Sequence, residues 1–163
     1  MTIVIGLGGN VGTEAEIRER FQLAREALVA LGTVRSAPLY LTAPIGPAQP
    51  AFYNTAVALV ATDVQPTELI AILLELERLL GRHREPDVRW GPRTLDLDVL
   101  VWGDRVIRTP ELEVPHPRMT ERRFALAPLA DLLGEDTVVL GKPLAFWLAT
   151  VHEQRIEHLA STW

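Results

Sequence analysis

The chain has 163 residues, 48% of them hydrophobic and 23% charged, with a formal net charge of −5. That length suits one compact domain spanning 1–163 and is short for two. The absence of cysteine excludes a disulfide framework, a thiolate zinc site and a cysteine nucleophile, and the acidic average argues against a protein that coats nucleic acid nonspecifically by neutralising phosphates.

In chain order, Thr2–Leu7 is a β-branched run that reads as a buried strand turning at Gly8-Gly9-Asn10. Its few apolar residues make neither a signal peptide nor a membrane span, and no later run is long enough, so a soluble cytoplasmic protein is expected. Thr13 with Glu16 three residues on is a capping-box pattern. Ile17, Phe21, Ala24, Leu28 and Leu31 then keep helical spacing until Gly32. Val34–Leu41 is a second strand, with Pro38 suiting an edge or a bulge. Ala43–Pro50 holds three prolines and reads as a loop. Phe52–Thr62 is a strand, and Pro66–Leu80 a helix with proline in its first turn and Gly81 at its end.

Arg82–Thr94 is a long polar connection, and long loops in compact domains are often functional. Leu95–Trp102 is a strand that turns at Gly103-Asp104 into a hairpin with Arg105–Arg108. Helices are expected near Glu121–Leu133 and Pro143–Glu153. The principal elements follow the order β-α-β-β-α-β, which implies an α+β, ferredoxin-like antiparallel sheet with helices packed on it and additional C-terminal elements.

Asp96 and Asp98 carry the sharpest chemical signal. Residues two apart on a strand share a face, with Cα atoms roughly 6.5–7 Å apart, so both carboxylates project together and Leu95, Leu97, Val99 and Val101 face the other way. Hard paired oxygens suit Mg²⁺ completed by substrate phosphates. Arg82, Arg84, Arg89 and Arg93, with Trp90 among them, immediately precede this strand and can grip phosphate oxygens. Each feature alone also fits a solvated charged surface; together they favour phosphoryl or nucleotidyl transfer. The glycines at 6, 8 and 9 do not make a dinucleotide fingerprint, because Val11 stands where the third glycine belongs, and no P-loop motif is present. His116 lies in a rigid Val114–Met119 segment followed by Arg118, Arg122 and Arg123, so a phosphate-facing role and a structural one are both open.

Arg89–Asp98, read with Gly6–Asn10, Thr42–Gly46, Gln49-Pro50, Asn54 and Val114–Phe124, closely resembles the 6-hydroxymethyl-7,8-dihydropterin pyrophosphokinase family, in that family's order and over nearly the whole chain. The resemblance implies transfer of pyrophosphate from ATP to a pterin hydroxymethyl group, with AMP released, on a ferredoxin-like fold. It implies that Asp96 and Asp98 bind two Mg²⁺ ions, that Arg82 and Arg93 hold the triphosphate and act catalytically, and that Arg84, Arg89 and Trp90 close over the reactants. Glu77, His116 and Arg122 resemble further ATP-site residues. Thr42, Ala43, Pro44, Phe52, Asn54 and Phe124 resemble the pterin pocket, with the two phenylalanines stacking on the ring.

Gly9 stands where the family usually has Ser, and Phe52 where some members have Tyr. No side chain is assigned as an obligatory general base. The expected partners are these small molecules, with neither nucleic acid nor membrane, and a monomer is expected with a dimer left open. The alternatives are another metal-dependent nucleotidyl or phosphoryl transferase and an RNA-binding module. The net negative charge and the lack of an aromatic RNA-binding strand oppose the latter.

Overall fold

The computed structural model describes residues 1–44, 48–81 and 92–163. In chain order they form β1 (Thr2–Gly9), α1 (Glu14–Val29), β2 (Thr33–Ser36), β3 (Leu39–Thr42), β4 (Phe52–Val60), α2 (Pro66–Leu80), β5 (Asp96–Trp102), β6 (Ile107–Arg108) and β7 (Glu113–Val114). A 3-10 turn (Met119–Glu121), α3 (Arg123–Leu133), β8 (Val138–Val139), β9 (Lys142–Pro143), α4 (Leu144–Thr150) and β10 (Ile156–Ala160) follow. The main sheet has the order β10-β3-β4-β1-β5 with β2 also on β4, and every pairing is antiparallel. Each helical crossover skips one strand: β4 lies between β1 and β3, and β1 between β4 and β5. This is the expected α+β, ferredoxin-like arrangement.

Strand alternation divides the interior in two. Ile3, Ile5 and Leu7 of β1, Val57 and Leu59 of β4, and Leu97 and Val99 of β5 pack on Ile17, Phe21, Ala24 and Leu28 of α1 and on Leu69, Leu73 and Leu76 of α2. The other face packs Val4, Ala56, Ala58, Leu100 and Val101 against Leu126 and Leu129 of α3 and Leu144 of α4. The second layer covers only part of its face. Farther along, that face presents Gly6, Gly8, Phe52, Asn54, Asp96 and Asp98 to an open cavity.

The capping box forms as expected: the Thr13 N–H donates to Glu16 Oε2 (2.8 Å) and the Glu16 N–H to Thr13 Oγ1 (3.2 Å). α1 stops at Val29 rather than running to Gly32. The Leu31 and Gly32 N–H groups bond three residues back. A Cβ at Gly32 would lie 2.7 Å from the Val60 carbonyl oxygen, so this glycine serves close approach to β4 and not the helix cap. The expected strand over 34–41 is split at Ala37-Pro38, and β4 ends at Val60, two residues early.

The Gly103-Asp104 turn forms, with the Arg105 N–H donating to the Trp102 carbonyl (3.0 Å). However, β6 pairs with β7 and not with β5. A one-residue bulge in β5, where Ile5 faces Val99 and Val4 faces Val101, turns Val101 onto the α3 side, contrary to simple alternation. α4 is shorter than expected, and β8, β9 and β10 were not anticipated from the sequence.

Candidate active site

The cavity has a volume of about 520 Å³ and rests on the sheet, within the range of small-molecule sites. β1 contributes a floor with little side-chain bulk. Gly6 packs under Leu100, and a Cβ at Gly8 would come within 3.0 Å of Asn54 Nδ2. On one side of this floor β5 presents Asp96 and Asp98; on the other stand Thr42 and Ala43, Phe52 and Asn54. Thr42 Oγ1 donates to Asn54 Oδ1 at 2.6 Å, both side chains being buried, so the amide oxygen is committed and the Asn54 NH₂ is presented beside Gly8.

The far wall is the segment from His116 to Ala125, which brings His116, Arg118, Arg122 and Phe124 to the cavity. The Arg118 backbone N–H donates to His116 Nδ1 (3.2 Å), so the neutral ring carries its proton on Nε2. Burial lowers the His116 pKa below the ordinary imidazole value, opposed by the Asp98 carboxylate. Burial likewise lowers Arg122, again opposed by Asp98, with Arg118 adding to the fall. The Arg122 guanidinium carbon lies 5.6 Å from the centre of the Phe124 ring. Two carboxylates thus face a wall of cations, with an aromatic ring from β4 and another from α3 at the same cavity.

Asn10 ties the surroundings together. It is 3% exposed, at the end of β1. Its Nδ2–H groups donate to Gln49 Oε1 (2.9 Å) and the Pro50 carbonyl (3.0 Å), and its Oδ1 accepts the Arg93 N–H (2.9 Å). Its own N–H donates to the Arg93 carbonyl (2.9 Å). One buried amide therefore joins three segments far apart in sequence. Arg20 of α1 adds a second tie, donating to the Val11 carbonyl (2.5 Å) and to that of Thr94 (3.5 Å). The sequence marks Asn10 by its place in a glycine turn and as the end of the Gly6–Asn10 match to the family, and neither tells that its side chain is a buried tie.

Of the residues expected at the site, Thr42, Ala43, Phe52, Asn54, Arg93, Asp96, Asp98, His116, Arg122 and Phe124 all line this cavity. Pro44 and Glu77 do not; Glu77 lies on the last turn of α2. Arg82, Arg84, Arg89 and Trp90 lie outside the described residues. Arg123, grouped with the phosphate-facing arginines by sequence, turns away and donates to the carbonyls of His152 (3.1 Å) and Gln154 (2.8 Å). Arg118, grouped with the same arginines, does line the cavity, as do Leu100 and Met119, which the sequence did not mark.

A sheet-floored cavity of this size, with an acid pair set against a cationic wall, belongs to an enzyme of small-molecule chemistry and not to an open nucleic-acid platform. Residues 4–134 match the family model of 7,8-dihydro-6-hydroxymethylpterin-pyrophosphokinase (HPPK), and the chain belongs to this family. It is 42% identical over 161 residues to the 2-amino-4-hydroxy-6-hydroxymethyldihydropteridine pyrophosphokinase of Pseudomonas aeruginosa, covering 96% of each chain. Identity to the protein of that name from Bacillus subtilis is 43% over 130 residues, or 78% of this chain and 75% of that one.

Among solved structures, a Plasmodium falciparum HPPK-DHPS is similar in fold, with a TM-score of 0.68 at 16% identity. The match covers 91% of this chain and 45% of that one, so this chain spans less than half of the longer protein. No helix among the described residues is long and apolar enough to cross a membrane.

Proposed function

We propose that this cavity is where the chain acts as a pyrophosphokinase of folate biosynthesis, moving the terminal pyrophosphate of ATP to the hydroxymethyl oxygen of 6-hydroxymethyl-7,8-dihydropterin and releasing AMP. The observation that carries the assignment is the placement of Asp96 and Asp98 on one glycine-floored sheet face, in one cavity with the cations of the far wall, the rings of Phe52 and Phe124 and the Thr42–Asn54 pair. Phe52 and Phe124 hold the flat pterin by its faces. Asn54, its oxygen fixed by Thr42, offers its NH₂ to the acceptor edge of the ring. Arg93 and Arg122 bind phosphate oxygens as charged donors, which gain strength where water is excluded, and the neutral His116 ring donates its Nε2–H to a further phosphate oxygen.

The donor set also fits Mg²⁺. Two hard carboxylates line the cavity, and among the described residues no third His, Cys, Asp or Glu joins them in a metal-holding group. A magnesium ion typically completes its shell with waters and substrate phosphates. Asp96 and Asp98 would hold two such ions, which neutralise charge on the phosphate chain when bound. Arg82, Arg84, Arg89 and Trp90 are assigned to the nucleotide on sequence resemblance alone, as are Glu77 to the nucleotide and Pro44 to the pterin. The protein is read as one cytoplasmic domain that acts on small molecules, as a monomer with a dimer left open.

The test is product analysis after incubation with Mg²⁺, ATP and the reduced pterin. AMP and pterin diphosphate in equal amounts are expected. ADP or free pyrophosphate as the pterin-dependent product would show a different transferase.

A further inference from the structure

Beneath the ring-binding end of the cavity, β2 and β3 run as one interrupted strand along β4. Ser36 faces Val57 and Tyr40 faces Asn54, so three residues of one strand oppose two of the other: a bulge at Ala37-Pro38. The bulge reverses the alternation. Val34 and Leu39 both pack toward α1 although an even number of residues separates them, and Thr42 consequently faces the cavity. Pro38 has no N–H to pair, and the Ala37 N–H bonds to the Ala56 carbonyl at 2.9 Å.

The Ala37 carbonyl is held by two buried side-chain donors, the Trp163 indole N–H at 2.7 Å and the Thr55 hydroxyl at 3.1 Å. Trp163 belongs to the core on the α1 side of the sheet, opposite the cavity. Its ring meets Phe21 edge-on, with centroids 6.0 Å apart, and the Arg25 guanidinium lies 4.2 Å from its centre. Thr55, the second donor, lines the cavity and adjoins Asn54, whose oxygen accepts from Thr42 across the strand pair.

We propose that Trp163 is a positioning residue for the pterin end of the site: its indole N–H pins the Ala37 carbonyl and so holds the bulge that sets Thr42 against Asn54. The identity of the ligand at that end rests on the functional reading above. Trp163→Phe takes away the N–H together with the second ring of the indole, leaves the carbonyl its Thr55 donor and keeps an aromatic ring beside Phe21. The fold therefore persists while the bulge is held by one bond instead of two.

The experiment is steady-state kinetics and calorimetric pterin binding for the wild type and Trp163→Phe. The expected result is a pterin KM and Kd raised about fivefold to tenfold, with the ATP KM unmoved. Thr55→Val removes the other donor while keeping Trp163, so it shifts the same constants the same way and serves if Trp163→Phe melts below the assay temperature. An unmoved pterin KM, or equal rises for both substrates, overturns the positioning role. A wild type that binds the pterin but releases no AMP overturns the functional reading instead, and the Kd comparison still decides the positioning role.

Discussion

Asn10 and Tyr40 show what single side chains contribute around the cavity. Asn10 satisfies a backbone N–H and a backbone carbonyl through its side chain from a buried position. Asn10→Ala would leave these groups without that partner, which costs about 1–3 kcal/mol. Urea unfolding should register a lower midpoint with an unchanged slope; an unmoved midpoint would show that water replaces the amide at no cost. Tyr40 of β3 donates its hydroxyl to Asp131 of α3, and burial, then that bond, raise its pKa above the ordinary 10.0. The unfolded chain loses this proton first as pH rises. The stabilisation is therefore complete below pH 10 and is lost progressively above it. Tyr40→Phe should flatten the alkaline fall in melting temperature, and an identical fall in both proteins would contradict this.

Helices and strands with strong periodicity were legible in the sequence, and Pro38 marked one interruption, the bulge between β2 and β3; the bulge in β5 was not legible. Ile17, Phe21, Ala24 and Leu28 are all fully buried on α1, as their spacing indicates, and Asp96 and Asp98 do share the cavity face. Alternation fails where a bulge inserts a residue, as at Leu100, because nothing local distinguishes an extra residue from a paired one. Ile156–Ala160 does not read as a strand in sequence because its apolar residues do not alternate cleanly, and its place beside β3 is set by a long-range pairing. Arg123 shows the same limit: clustering in sequence put it with Arg122, whereas carbonyls some thirty residues later claim its guanidinium. Close backbone approach is equally invisible in sequence. A Cβ at Gly9 would lie 2.7 Å from the Thr94 carbonyl oxygen, so the serine usual in the family does not fit here without a backbone shift. Gly9→Ala should lower stability by about 1–3 kcal/mol, read as a fall in melting temperature, and an unchanged melt would show that the segment yields freely.

Over the whole molecule, the net charge of −5 does not describe the cavity, where Arg93, Arg118, Arg122 and His116 face Asp96 and Asp98. The ferredoxin-like topology explains why these groups meet. The two carboxylates come from the strand after the second crossover, Phe52 and Asn54 from β4, Arg93 from the approach to β5, and His116, Arg118 and Arg122 from the segment that leads into α3. The sheet holds the first two sets in fixed register, which is what in-line transfer between two bound substrates requires. The most direct measurement is the single-turnover transfer rate of Asp96→Ala and Asp98→Ala with saturating Mg²⁺, ATP and pterin, on proteins whose circular dichroism matches the wild type. A fall of at least about a thousandfold in each is predicted; turnover close to the wild type in either would contradict the assignment of this sheet face as the site of transfer.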